Sequence, residues 1–310
     1  MQELAKTIIT EVERAVIGKR DKIERILLAM TAGGHVLLED LPGVGKTTIA
    51  LAFSRALQLS YKRIQFTPDV LPADVVGFTV YNQQTGKFEY QPGPVLSNLF
   101  LADEINRTSS KTQSALLEAM EEGQVTVDGE TYQIPKPFTV LATQNPVGSA
   151  GTQLLPESQM DRFLIRLSVG YPEIADEMVI MRTRQGEDPM KYVRPVASAE
   201  DLLKMHAQVE AVYTSEEIFR FVASLAAATR HHELIRMGVS PRGSLALARM
   251  SRAYAWYEGR DYVLPTDVQA MMDDTLAHRL VLSPKARASG LSAVELLHQV
   301  TADVAVPKIV

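Results

Sequence analysis

Two short segments and three isolated residues carry the chemistry that this chain could perform. Leu41-Pro42-Gly43-Val44-Gly45-Lys46-Thr47-Thr48 sets two glycines, a lysine and two hydroxyls directly after an apolar run at 35–39. Glycines let backbone N–H groups curl round an anion with no Cβ in the way. A helix opening at Lys46 would add its own free N–H groups and the positive end of its dipole. The expected ligand is a phosphate chain, with Lys46 reaching the β and γ phosphates and Thr47 placing its hydroxyl on Mg²⁺. The full phosphate-loop pattern has glycine at position 40, where this chain has Asp40. The core G-x-G-K-[ST] arises by chance in roughly one chain in a hundred at average residue usage. The bland alternative is an ordinary glycine-rich turn.

The second segment, Leu99-Phe100-Leu101-Ala102-Asp103-Glu104, is an apolar strand ending in two carboxylates. Asp103 is expected to hold the water shell of Mg²⁺. Glu104, facing the γ-phosphate, is expected to polarise the attacking water. A switch GTPase lacks that second carboxylate, and the guanine-reading N-K-x-D pattern is also missing. Asn145 follows an apolar run and could orient the water. Arg162 precedes the last apolar run, and Arg242 opens a helical stretch at Ser240-Pro241-Arg242-Gly243. A lone arginine at such a place is usually a solvated cap or an ion-pair partner.

These residues need elements to position them. Apolar runs at 35–39, 62–66, 98–102, 138–142 and 163–167 alternate with helix-period stretches at 19–31, 47–57 and 109–121. Near-continuous apolar strands between amphipathic helices predict a parallel sheet covered on both faces, hence an α/β fold. Ligands then sit at the carboxyl ends of the strands. Asp128-Gly129 between 125–127 and 130–134 predicts a type I′ hairpin, and 78–90 predicts a second, looser one. After Tyr171-Pro172 only helical periods are readable, at 173–183, 199–212, 215–232, 243–258 and 266–280. Strands are not expected there. The polar stretch 185–195 reads as a linker to a smaller all-helical domain.

Composition bounds the rest. Of 310 residues, 32 are Lys or Arg and 37 Asp or Glu, a net charge of −5, and none is Cys. A mildly acidic chain is not a generic polyanion binder. Without cysteine there are no disulfides, thiolate zinc sites, iron–sulfur clusters or thiol nucleophiles. Apolar residues at 46% mark a globular chain. The expected folded surface is roughly 13,000 Å², against about 50,000 Å² unfolded. No apolar run approaches the ~20 residues of a membrane span, and the charged start shows no signal-peptide pattern. The expectation is a soluble, cytoplasmic protein.

The order of these pieces resembles the AAA+ ATPases, and specifically the MoxR family. The matching segments are EDLPGVGKTT (39–48), FLADEINR (100–107), LLEAMEEGQVTVDG (116–129), FTVLATQNP (138–146), MDRF (160–163) and SPRGSLAL (240–247). The phosphate loop is shared by many families, whereas ATQNP and QVTVDG are more specific, and the family tolerates Asp before its loop. The resemblance implies a P-loop AAA+ core spanning 1–184, with a five-stranded sheet in the order 5-1-4-3-2. It places a helix-2 insert near 77–91 and a pre-sensor-1 hairpin near 124–135. A linker at 185–195 would precede a helical lid at 196–310. It implies ATP and Mg²⁺ as cofactors and a ring, hexameric in relatives, whose central face the two insertions line. Ile17 and Gly18 with Val16 match the adenine segment; Pro42, Gly43, Val44, Gly45, Lys46, Thr47 and Thr48 match the phosphate loop. Thr47 and Asp103 match the metal positions and Glu104 the water-activating position. Asn145 looks like sensor 1, and Arg162 like an arginine finger acting on the neighbouring subunit. Arg242 looks like sensor 2, within or between subunits.

The implied function is chaperone-like remodelling or maturation of a partner complex, often with a von Willebrand factor A (VWA) domain protein. The alternatives are the motor subunit of a metal chelatase, a DNA-remodelling motor and a nucleotide-gated scaffold without turnover. The acidic balance and the lack of a basic module disfavour the DNA motor, and Glu104 with Asn145 disfavours the scaffold. A σ54-type activator needs G-A-F-T-G-A, which Gly77-Phe78-Thr79-Val80 does not supply. Glu118, Glu121 and Glu122 read as a solvated helix end, His231 and His232 as helix-face residues, and Met271-Met272 as packing. Arg107 reads as locally paired or as reaching a neighbour.

Overall fold

A computed structural model of the chain describes residues 1–40, 43, 45–145, 155–183 and 188–308. Its centre is a parallel sheet of five strands: β1 (Val36–Glu39), β2 (Tyr61–Gln65), β3 (Leu99–Asp103), β4 (Thr139–Gln144) and β5 (Ile165–Leu167). They lie in the order β5-β1-β4-β3-β2, every neighbouring pair parallel. In β1 and β3, alternate side chains enter opposite layers. Leu38, Leu99 and Leu101 join the larger apolar cluster, while Leu37, Phe100 and Ala102 join the smaller one. Burial on both faces explains why these strands read as unbroken apolar runs. The edge strand β2, half-exposed along its length, can therefore carry Lys62, Arg63 and Gln65.

The larger cluster runs without a break from the N-terminal helices Gln2–Glu13 and Arg20–Thr31, through helix Lys46–Ala56, into the lid helices. Lid and sheet thus share one core. Residues 189–192 of the expected linker form a 3₁₀ turn. The chain then docks on the body, where Ala56 O accepts from Val196 N (2.9 Å) and Ala197 N (3.0 Å). The boundary expected at 184/185 lies outside the described residues.

Both hairpins are present. Gln124–Val127 pairs with Glu130–Gln133 through Asp128 (φ 51°) and Gly129 (φ 84°), the two positive angles a type I′ turn requires. Gly77–Asn82 pairs with Lys87–Pro92. Tyr90 and Tyr132 stack at 3.8 Å between ring centres and join the two hairpins.

The lid is built from helices Ala199–Glu210, Glu216–Arg230, Pro241–Tyr257 and Pro265–Leu276, followed by Pro284–Ala288 and Ala293–Thr301. It is not all-helical as expected. Ile235–Met237 and Val281–Leu282 form a small antiparallel ladder. Segments of three and two residues are too short for a period of two to register in sequence. His231 and His232 also differ from expectation: the helix ends at Arg230, and His232 Nδ1 accepts from Leu234 N (3.3 Å) in the turn that follows.

Candidate functional site

β1 ends at Glu39 and hands the chain through Asp40 into the glycine-rich loop. Gly45 caps helix Lys46–Ala56 at φ 92°, a left-handed angle that L side chains rarely adopt. No side chain caps this helix end. A Cβ at Gly43 or Gly45 would meet nothing within 4 Å. Free helix-end N–H groups beside open space suit a phosphate chain. Thr47 and Thr48 stand in the first turn. Lys46 Nζ donates to Asp40 O at 2.7 Å. Burial lowers the Lys46 pKa, against the opposing pull of Asp40, Asp103 and Glu104, so the ammonium stands in a field of carboxylates. Pro42 and Val44 lie outside the described residues.

Next to this loop a cavity of about 270 Å³ is lined by Val16, Ile17, Gly45, Thr48, Tyr171 and Ile180. Apolar walls with the glycine loop at one end fit an adenosine group. Gly18 beside it has φ 70°, and a Cβ there would lie 1.9 Å from Asp176 Oδ2. The left-handed angle and this close approach both favour glycine. Tyr171 and Ile180 carried no motif, so sequence reading missed them.

The Asp40 carboxylate organises the same wall. Its Oδ2 accepts from Gly170 N (2.9 Å), from Val169 N and from Ser168 Oγ (3.3 Å). This is why a carboxylate is tolerated where the full loop pattern has glycine. Asp40 holds the strand-β5 exit that leads to Tyr171.

One strand over, Asp103 Oδ1 accepts from Thr143 Oγ1 at 2.6 Å and Oδ2 from Arg63 Nη2 at 2.7 Å. Glu104 takes a left-handed conformation, φ 57° and ψ 46°. That strain is held by its N–H, which donates to Thr143 Oγ1 at 2.8 Å. One buried hydroxyl thus fixes both carboxylate residues. The Glu104 carboxylate forms an ion pair with Arg107 at 3.0 Å, the local alternative for that arginine. Asn145 stands just past β4, and its carbonyl accepts from Asn106 Nδ2 (3.4 Å). Lys46, Thr47, Asp103, Glu104 and Asn145 therefore gather at the carboxyl ends of adjacent strands β1, β4 and β3. Thr143 and Arg63 had no sequence signal, since their partner lies 40 residues away in sequence.

Arg162 and Arg242 are elsewhere. Leu164 N donates to His35 O (2.8 Å), so Arg162 stands at the amino end of the sheet. Five residues of strand, from 35 to 40, separate that level from the phosphate loop, roughly 17 Å at 3.3 Å per residue. Arg242 meets Arg162 there. Both pair with Glu121, Arg162 at 3.4 Å and Arg242 more closely. Glu121 lies at the exposed end of helix Ser110–Glu122, as expected, and in addition pairs with both arginines. It bridges two arginines, leaving a net positive charge, beside a cavity of about 600 Å³ between sheet and lid.

The uncharacterized protein YeaC of Bacillus subtilis is 47% identical over 96% of this chain and 93% of its own length. The chaperone MoxR1 of Mycobacterium tuberculosis is 40% identical over 97% of this chain and 82% of its own. The chain belongs to the MoxR family of AAA+ ATPases. The profile of the ATPase family associated with various cellular activities matches residues 35–165, and that of the AAA lid domain matches 227–300. A crystal structure from Cytophaga hutchinsonii, described as that of a candidate ATPase, superposes with a TM-score of 0.92. It is 38% identical and covers 99% of this chain and 96% of its own. Like the rest of the family, this MoxR chain binds and hydrolyses ATP, and its general role is chaperone-like.

Proposed function

We propose that this MoxR chain hydrolyses ATP with Mg²⁺ at sites shared between neighbouring copies of a ring, hexameric as in relatives. Turnover would remodel or mature a client protein complex in the cytoplasm, with a VWA-domain protein as adaptor. The observation that carries the reading is the separation of Arg162 and Arg242 from their own phosphate loop. At the far end of the sheet they are placed to serve another copy's nucleotide rather than their own. Such a contact joins two different faces, and a heterologous contact gives a ring when its rotation closes.

Within one copy, the loop N–H groups and Lys46 bind the phosphates, Val16, Ile17 and Gly18 bound the adenine site, and Thr143 holds Asp103 and Glu104. Among the described residues no three His, Cys, Asp or Glu side chains converge on a metal site. Thr47 and Asp103 fit a Mg²⁺ carried by the phosphates, where it would neutralise their charge. Glu104, once free of Arg107, accepts a proton from water that Asn145 orients. From the next copy, Arg162 stabilises charge on the transferring phosphoryl group. An arginine finger contributes ~10³–10⁵ in rate, about 4–7 kcal/mol at 1.36 kcal/mol per decade. Arg242 joins it from the lid, so loss of the γ-phosphate is felt by the lid.

The test mixes Arg162→Ala subunits with Lys46→Ala subunits, each inactive alone. Recovery of phosphate release is expected, because intact half-sites meet at mixed contacts. Mixed rings without recovery would refute a shared site. Lys46→Ala should lose ATP binding, and Glu104→Gln should bind ATP without splitting it. With ATP, the Glu104→Gln ring should retain its adaptor in a pull-down. A VWA-domain protein supports the reading, and a chelatase subunit would replace it.

A further inference from the structure

Arg279 lies in the 3₁₀ turn after helix Pro265–Leu276, with its side chain 2% exposed. A guanidinium so far from water must satisfy its donors internally, and four of its hydrogen bonds go to one short segment. Nε donates to Asp161 Oδ1 (2.8 Å), Nη2 to Asp161 O (3.2 Å) and Phe163 O (2.7 Å), and Nη1 to Leu164 O (3.3 Å). These acceptors bracket Arg162 on both sides. The second oxygen of Asp161 accepts from Ser240 Oγ at 2.8 Å. Ser240 caps helix Pro241–Tyr257, whose second residue is Arg242. Gly243 leaves the necessary room, since a Cβ there would stand 2.7 Å from Arg279 Cδ.

We propose that Arg279 is a positioning residue for the trans-acting arginines, clamping the Arg162 segment to the Arg242 helix through Asp161 so that both side chains reach the neighbour's nucleotide as one unit. The inference rests on the shared-site reading above. Arg162 belongs to a short connection between helix Glu157–Met160 and β5, which by itself would hold no side chain to a fraction of an ångström. A displacement of about 1 Å costs on the order of 10² in rate. A planar fork of five N–H groups can bind carbonyls and a carboxylate together. A lysine ammonium keeps the charge but not that pattern.

Arg279→Lys should therefore lower kcat about 100-fold, with the KM for ATP unchanged within about twofold. The decisive measurement is complementation. Arg279→Lys subunits have an intact phosphate loop and a misplaced finger. Mixed with Lys46→Ala subunits they should recover phosphate release; mixed with Arg162→Ala subunits they should not. Recovery with neither would mean that both half-sites are damaged, a merely structural role that overturns the proposal. Recovery with both would mean that the finger is intact, and overturns it equally. The Arg162→Ala plus Lys46→Ala mixture runs in parallel, so failure of the shared site itself is seen separately. Should Arg279→Lys not fold, the isosteric Asp161→Asn removes the charge that joins Arg279 to Ser240. The same pattern of recovery is then expected.

Discussion

Asp40 has two tasks that a glycine could not combine. Its carbonyl accepts from Lys46, and its carboxylate gathers the backbone N–H groups of Val169 and Gly170. Both N–H groups sit where β5 runs into the wall of the cavity beside the phosphate loop. Asp40→Ala would leave the buried Val169 N–H and the partly buried Gly170 N–H without their acceptor. Hydrogen bonds to a charged group contribute ~1.5–3 kcal/mol each, and an orphaned buried donor costs ~1–3 kcal/mol. We expect a loss of about 2 kcal/mol in urea unfolding, together with a severalfold rise in the KM for ATP. A stable variant with normal KM would show that the carboxylate does not shape the nucleotide wall. Thr143 is the companion case at Asp103 and Glu104. A single hydroxyl donates to Asp103 and accepts from the strained Glu104 N–H, so Thr143→Val should disturb both at once.

At the scale of elements, His35 ties three layers together. It stands just before β1, its ring pairing with Met120 O (3.0 Å) through Nε2 and accepting from Val140 N (3.0 Å) at Nδ1. Burial pushes its pKa down to about 4 from an ordinary 6.5, so the folded ring is neutral with the proton on Nε2. Between pH 6.5 and 4 the unfolded chain binds a proton that the folded chain refuses. Stability is then complete above pH 6.5 and falls as pH falls, by about 3 kcal/mol at pH 4 at 1.36 kcal/mol per unit. His35→Gln should be weaker at pH 7 yet lose less between pH 6.5 and 4, read by urea unfolding along the pH series. An unchanged slope would mean another group governs acid sensitivity. The strands, hairpins and phosphate loop were legible before the structure because their signals are local: apolar runs, an Asp-Gly turn, glycines before Lys46. Thr143, Glu121 and Arg279 were not. Their meaning depends on partners 39 to 121 residues away in sequence, and only the folded sheet and lid bring them together.

The whole molecule exposes 15,240 Å², more than the roughly 13,000 Å² expected of a compact chain of this mass. Exposed apolar side chains lie beside the phosphate loop and beside the two arginines. Helix Ile174–Thr183 borders the cavity beside the phosphate loop through Glu177 and Ile180, and none of its residues is buried. Ile174, Met178 and Met181, at spacings of four and three, form an exposed stripe along it. Phe219 and Leu245, also exposed, stand beside Arg162 and Arg242. A contact that carries the arginines to a neighbour's phosphates brings these two patches toward each other. Assembly and catalysis then share one interface, and specific ATPase activity should climb with protein concentration as copies associate. A charge in the stripe should weaken association without touching the folded chain. For Met178→Glu we expect the concentration of half-maximal specific activity to rise at least tenfold, while the melting temperature of the dilute protein stays the same. Activity independent of concentration, in a protein that sediments as a monomer, would mean that a lone copy completes its own site.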